Sequence, residues 1–197
     1  VLRFIDVPSE ALNAEHAAAC WIRLSRLVSG YHGARERRWL RSNAAAVQPL
    51  LELTRRQLPQ MEPRALAKTA YGMGKSGVAR GEAWRPLWQE IAGEAEAKVA
   101  RFDAENLANT VWAFATAREA APALFAGVAS EVEVRLDEFL PQALANTAWA
   151  YAMAREPAPP MLQPISVLDL IEAGGEPADV MYYRMSMQGL AARGELD

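Results

Sequence analysis

Between residues 104 and 117 the apolar positions follow the helical period. At about 100° per residue, Leu107, Thr110, Val111 and Phe114 share one face, and Glu105, Asn109, Trp112 and Thr116 lie roughly opposite. Ala108 and Ala115 sit to the side, so large groups on two faces are separated by small ones, as in a helix packed from more than one direction. A second stripe, Leu124, Val128, Val132, Leu136 and Phe139, starts near Pro122, with Glu131, Glu133, Asp137 and Glu138 mostly off it. The pattern predicts a helix, a short turn and a second helix. Leu107's face is expected against the second helix of its own pair, and Trp112's face against the next pair or on an inner surface.

The pattern recurs along the chain. "MEPRALAKTAYGMGK" (61–75), "FDAENLANTVWAFAT" (102–116) and "FLPQALANTAWAYAM" (139–153) align at spacings of 41 and 37 residues. Met61, Phe102 and Phe139 share a column, as do Leu66, Leu107 and Leu144, then Thr69, Thr110 and Thr147, then Tyr71, Trp112 and Trp149. Pro63 and Pro141 stand where the first helical position needs no N–H, and Asp103 precedes that position in the middle copy as an N-cap. Weaker copies are read at 176–190 and 13–24. Such helix pairs cannot bury their apolar faces alone and must stack. The expected fold is all-α, an α-solenoid of helix-turn-helix repeats of about 37 residues. Its parts are a degenerate N-terminal repeat with a basic insertion (1–60), core repeats (61–160) and a degenerate C-terminal capping repeat (161–197). Within the last part, 160–166 reads as a proline-marked join and 170–180 as a turn between the last helices.

"PQALANTAWAYA", with an aromatic ahead of it, resembles the octotricopeptide and heptatricopeptide helical repeats of organellar proteins, which are often associated with RAP domains. The resemblance covers about 61–156. It implies an α-solenoid in a mitochondrion or plastid, soluble or peripheral to a large complex. Such proteins typically bind RNA for processing, stability or translation, or form part of a large organellar assembly such as a ribosome or an energy-transducing complex.

Charge refines this picture. The 197 residues carry a net charge of −3, unevenly spread. Residues 21–60 hold eight arginines against Glu36 and Glu52, while 101–160 hold four against eight acids. A polyanion is expected to be drawn to the first third and repelled by the rest. No apolar run approaches the ~20 residues that span a bilayer. The chain starts at Val1 without an initiator methionine or signal-like segment, so any targeting peptide is expected either to lie outside this sequence or to have been removed. Cys20 is the single cysteine, which excludes an internal disulfide framework.

In "YHGARERRWLRS" (31–42), Arg35, Arg37, Arg38 and Arg41 surround Trp39. Guanidinium groups that grip phosphates beside an aromatic that stacks a base suit single-stranded RNA. The other readings are a solvated helix anchored by Trp39 and Leu40, an acidic protein surface and anionic lipid head groups. The polar column Lys68, Asn109 and Asn146 reads either as a set of groups facing base edges or as an asparagine ladder bonding between helices. The Tyr71, Trp112 and Trp149 column is favoured as packing over base stacking.

Catalytic and metal chemistry find little support. "YGMGKSG" (71–77) ends like a phosphate-binding loop but has Thr69 where the first glycine belongs and no preceding strand. Gly72 and Gly74 there suggest a loosened helix end. His16 and Cys20 are two possible ligands where zinc needs three or four, and are expected as a surface imidazole and a small buried thiol. No nucleophile–base or paired-carboxylate arrangement stands out. The expectation is a protein without catalysis or cofactor that binds single-stranded or ribosomal RNA, or else a scaffold subunit that contacts other proteins of an assembly.

Overall fold

The computed structural model describes residues 12–28 and 34–159, together with Leu162. These residues form eight α-helices and no strand: α1 (Ala14–Val28), α2 (Ala34–Ser42), α3 (Gln48–Gln57), α4 (Pro63–Ser76), α5 (Arg85–Ala97), α6 (Ala104–Ala117), α7 (Pro122–Val134) and α8 (Pro141–Ala154). None of them is long and apolar enough to cross a membrane. The possible copy at 176–190, the join and turn read at 160–180, and Tyr31 and His32 lie outside the described residues.

Two layers result from the way the apolar faces pair. Helices α1, α4, α6 and α8 lie side by side in that order. Behind them, α3 packs on α1, α5 on α4 and α7 on α6, while α5 also meets α7. Leu66, Leu107, Val111 and Phe114 are buried between the layers, as the helical period predicts. Leu144 in the same column is only half-buried.

Each of α4, α6 and α8 is bracketed in the same way. A single 3₁₀ turn precedes it, at Leu58–Gln60, Val99–Arg101 or Leu136–Glu138. Met61, Phe102 or Phe139 follows in extended conformation with its side chain buried, and the helix then begins. Pro63 and Pro141 open α4 and α8, and Asp103 caps α6 by accepting from the Asn106 amide at 2.7 Å. The column threonines face inward. Thr110 and Thr147 donate to the carbonyls of Asn106 and Ala143, and Thr69 lies 3.7 Å from the Met61 sulfur. The spacings of 41 and 37 have one local cause. The connection from α4 to α5 takes eight residues (77–84), and that from α6 to α7 takes four (118–121).

Every one of these helices ends on a left-handed residue: Gly77 (φ 59°), Arg118 (φ 62°) and Arg155 (φ 57°). The αL cap satisfies the last carbonyls: Arg118 N–H donates to Ala115 and Glu119 N–H to Phe114, and the pattern repeats from Arg155 and Glu156 to Ala152 and Tyr151. Glycine adopts this conformation freely. For a residue with a Cβ it costs about 1 kcal/mol.

Two sequence expectations need correction. The stripe from Leu124 to Phe139 is not one helix: α7 stops at Val134, Leu136 is 39% exposed in the following turn, and Phe139 is buried from the extended link. Nor do Gly72 and Gly74 loosen a helix end. Helix α4 runs unbroken to Ser76, and both glycines are buried where neighbouring backbones come close. A Cβ on Gly72 would lie 2.6 Å from the Trp21 carbonyl carbon, and one on Gly74 would lie 2.9 Å from the Ala113 oxygen. Gly74, Lys75 and Ser76 therefore form the last turn of a helix, not a phosphate-binding loop.

Candidate nucleic-acid interface

The exposed face of the α1, α4, α6 and α8 row carries the two columns singled out above. Tyr71 and Trp112 have ring centroids 5.1 Å apart, and Trp112 and Trp149 stack at 6.2 Å with 29° between their planes. All three are half-buried. Equivalent rings meet because α4, α6 and α8 run in the same direction with equal positions level. A base inserted between two of these rings would need about 3.4 Å on each side, more than either gap provides. The ladder therefore ties helix to helix, each pair contributing roughly 0.5–1.5 kcal/mol beyond burial, and presents its rims to solvent. Lys75 closes its Tyr71 end, with Nζ donating to the Tyr71 hydroxyl at 2.8 Å and lying 5.0 Å from the ring centroid.

Lys68, Asn109 and Asn146 are also half-buried and run beside the ladder. Lys68 Nζ lies 3.7 Å from Glu15 of α1. No hydrogen bond among the described residues joins Asn109 to Asn146, and Asn146 Oδ1 is buried without a partner. The column is not a bonded asparagine ladder.

The arginine cluster is brought only partly onto this surface. Arg35 and Arg38 are exposed on α2, and Trp39 is 54% exposed. Among the described side chains of α2 only Leu40 is buried, so the reading in which Trp39 and Leu40 together anchor the helix holds for Leu40 and not for Trp39. Arg37 is half-buried and donates to the Val28 carbonyl at the end of α1 at 2.9 Å, so its guanidinium holds α2 to α1. Arg41 lies in the last turn of α2. His16 is exposed and bound to Asn13 in a reciprocal N-terminal cap, with Cys20 half-buried a turn later. Among the described residues no group of three or more His, Cys, Asp or Glu is placed to hold a metal ion.

Charge is sorted by layer, which a count along the chain does not reveal. The row helices carry Arg23, Arg26, Arg64, Lys68 and Lys75 against Glu15 and Glu105. Their partners α3, α5 and α7 carry Arg55, Arg56 and Arg85 against Glu52, Glu90, Glu94, Glu96, Glu131 and Glu133. One layer is thus +3 and the other −3. Within the row Glu15, Asp103 and Glu105 lie at the amino edge and Arg26, Lys75, Arg118 and Arg155 at the carboxyl edge, as the helix dipoles favour, while Arg64 at the amino edge and Glu119 and Glu156 at the carboxyl edge run against that order.

At that carboxyl edge a cavity of about 320 Å³ opens between the ends of α6 and α8, lined by Phe114, Arg118, Glu119, Met153, Arg155 and Glu156 among others. Sequence reading missed it, because no motif marks arginines in glycine-like conformation. Glu119 is 9% exposed, and Arg85 Nε stands 3.8 Å from its carboxylate. Burial pushes its pKa up, the Arg85 charge opposes this, and Glu82 adds a smaller upward push. A carboxyl whose pKa is higher folded than unfolded holds its proton more tightly in the folded state. Folding is therefore favoured below the unfolded value and loses stability as pH rises towards the folded one. Glu119→Gln should remove that loss. Thermal melts from pH 4 to 7 should show the variant gaining on the parent as pH rises, and parallel curves would refute it.

No family model matches the chain, and no curated protein matches it.

Proposed function

We propose that this chain is a short α-solenoid of the octotricopeptide-like class that binds single-stranded RNA in an organelle, without catalysis. The carrying observation is the sorting of charge between layers. It leaves the row face cationic at α1 and α4, with Glu105 alone on α6, no charge on α8, and amide and indole groups along it. The acidic residues that weigh against RNA in the sequence sit mainly on the opposite layer. Phosphates are attracted to Arg23, Arg64, Lys75 and the exposed Arg35 and Arg38, and the Lys68, Asn109 and Asn146 column faces the bases. Trp39, with half its surface in solvent, supplies a ring on which a base can stack.

A direct test is RNA binding as a function of salt. With about four phosphate contacts, raising salt from about 50 to about 200 mM should weaken binding of a single strand roughly fiftyfold. The double reversal Arg35→Glu with Arg38→Glu should weaken it at least about tenfold at the lower salt, through lost contacts and repulsion. Arg37 is unsuited to this test because its side chain holds two helices together. Salt-insensitive binding, or full affinity in the double variant, would remove the reading.

The second reading, a scaffold subunit, has one observation of its own. Val134 (75% exposed), Leu136 and Leu140 (74%) stand among Glu133, Asp137 and Glu138, a surface suited to a basic protein segment.

A further inference from the structure

We propose that the cavity between the carboxyl ends of α6 and α8 is a nucleotide pocket, taking one guanine base turned out of the strand with a phosphate held by Arg118 and Arg155. The inference rests on the RNA reading above and assigns that reading a base preference.

The backbone gives the first reason. Arg118 and Arg155 occupy left-handed positions at φ 62° and 57°, where the preceding helix pair has Gly77. Strain kept at equivalent sites in successive units points to the side chains, since glycine would serve the caps better. Both arginines line the same cavity. Their forked donors suit a phosphate.

The second reason is Glu119, the residue after the cap. It is nine-tenths buried, lines the cavity, and has Arg85 beyond hydrogen-bond reach at 3.8 Å. A carboxylate offers two acceptors side by side. Guanine presents N1–H and the N2 amino group side by side and matches both. Uracil flanks its single N–H with two carbonyls, while adenine and cytosine set a ring lone pair beside their amino group, and a carboxylate repels these acceptors. Phe114, Ala115 and Met153 give the ring an apolar wall. A cavity of about 320 Å³ is at the small end of ligand pockets, suited to one nucleotide and no more.

The experiment compares two RNAs of about twelve nucleotides, all uridine or uridine with one central guanosine. The guanosine oligomer should bind the intact chain about tenfold more tightly, the discrimination typical of a bidentate pair. Glu119→Gln should bring the two within about twofold, because its amide turns a donor towards the guanine amino group. The double variant Arg118→Gly with Arg155→Gly should weaken both oligomers about fivefold or more while melting no lower than the parent, since glycine keeps the caps. A merely structural role for these arginines does not give that pairing of results. Equal binding of both oligomers to the parent, or a preference that survives Glu119→Gln, overturns the pocket and leaves the RNA reading standing. If neither oligomer binds, the RNA reading falls, and guanosine monophosphate tests the pocket alone. Binding that Glu119→Gln abolishes supports it, and no binding ends it.

Discussion

Replacing Gly72 by alanine should lower stability by about 3 kcal/mol, although alanine is the better helix former. On propensity alone the change should stabilise by about 1 kcal/mol, because glycine inside a helix is entropically unfavourable. Packing reverses the sign. The added Cβ would sit 2.6 Å from the Trp21 carbonyl carbon, 2.7 Å from its Cβ and 2.9 Å from the Ile22 nitrogen. Two of these three atoms belong to the α1 backbone, so the clash cannot be relieved by a side chain swinging away. Helix α1 must lift from α4 as a body, loosening Trp21, whose indole N–H donates to Thr54 on α3 at 2.9 Å.

Gly93 supplies the control. It lies within α5, is exposed, and its added Cβ would meet nothing within 4 Å, so Gly93→Ala should stabilise by about 1 kcal/mol. Urea titration of both variants decides the matter. The midpoints should move in opposite directions, with a fall in melting temperature of about 6–12 °C for Gly72→Ala. A Gly72→Ala protein as stable as the parent would mean that α1 and α4 are not in close contact.

The glycine pair also marks the limit of what the sequence discloses. Helix starts were legible because they are local: Pro63, Asp103, Pro122 and Pro141 act within one turn, and helices begin where these residues predict. The core face of α6 was legible because burial follows the helical period. Helix ends were not, because Arg118 and Arg155 hold a conformation normally signalled by glycine. The role of Gly72 and Gly74 depends on what lies across the gap from them, and no window of sequence contains that neighbour. The sorting of charge is hidden for the same reason. The bases of α1 and α4 and the acids of α5 and α7 lie on different layers, although α3 at the back is +1 and α6 in the row is −1, and a sum over segments does not separate them. The candidate RNA residues were legible as residue types but not as roles. Arg37 belongs to the same run as Arg35 and Arg38, and only the fold shows that its guanidinium binds a helix end.

A second aromatic series escaped the repeat alignment because its partners belong to different helices of successive pairs. Trp88 of α5 meets Phe114 of α6 edge-on at 4.8 Å, and Phe125 of α7 meets Tyr151 of α8 edge-on at 5.0 Å. In both cases the partner stands 26 residues further on, so each back helix grips the row helix of the next pair. One ring of each pair also makes a hydrogen bond, and only the second of these bonds crosses the contact. The Trp88 indole N–H donates to the Ala79 carbonyl at 2.9 Å, and the Tyr151 hydroxyl donates to the Phe125 carbonyl at 2.6 Å. Burial together with the Glu156 charge raises the Tyr151 pKa, keeping the phenol protonated as that bond requires.

Trp88→Ala should therefore be among the most damaging truncations at the described residues, costing about 3–5 kcal/mol. Three losses combine. The side chain is 1% exposed, so its removal leaves a large cavity. The Ala79 carbonyl, in a buried part of the α4–α5 connection, loses its donor. Phe114 loses the ring that fixes its position between two helix pairs. Trp88→Phe separates these effects, since it keeps an edge-on ring and forfeits chiefly the indole N–H, and it should cost about 1–2 kcal/mol. The double variant with Phe114→Ala should fall short of the sum of the single effects by about 1 kcal/mol, the coupling expected of an edge-on pair. Denaturant titration of the four proteins closes the cycle. Strict additivity would show that α5 does not clasp α6, and the stacking of α4 and α5 on α6 would then rest on the half-buried Tyr71–Trp112 contact and the close approach of Gly74 to Ala113.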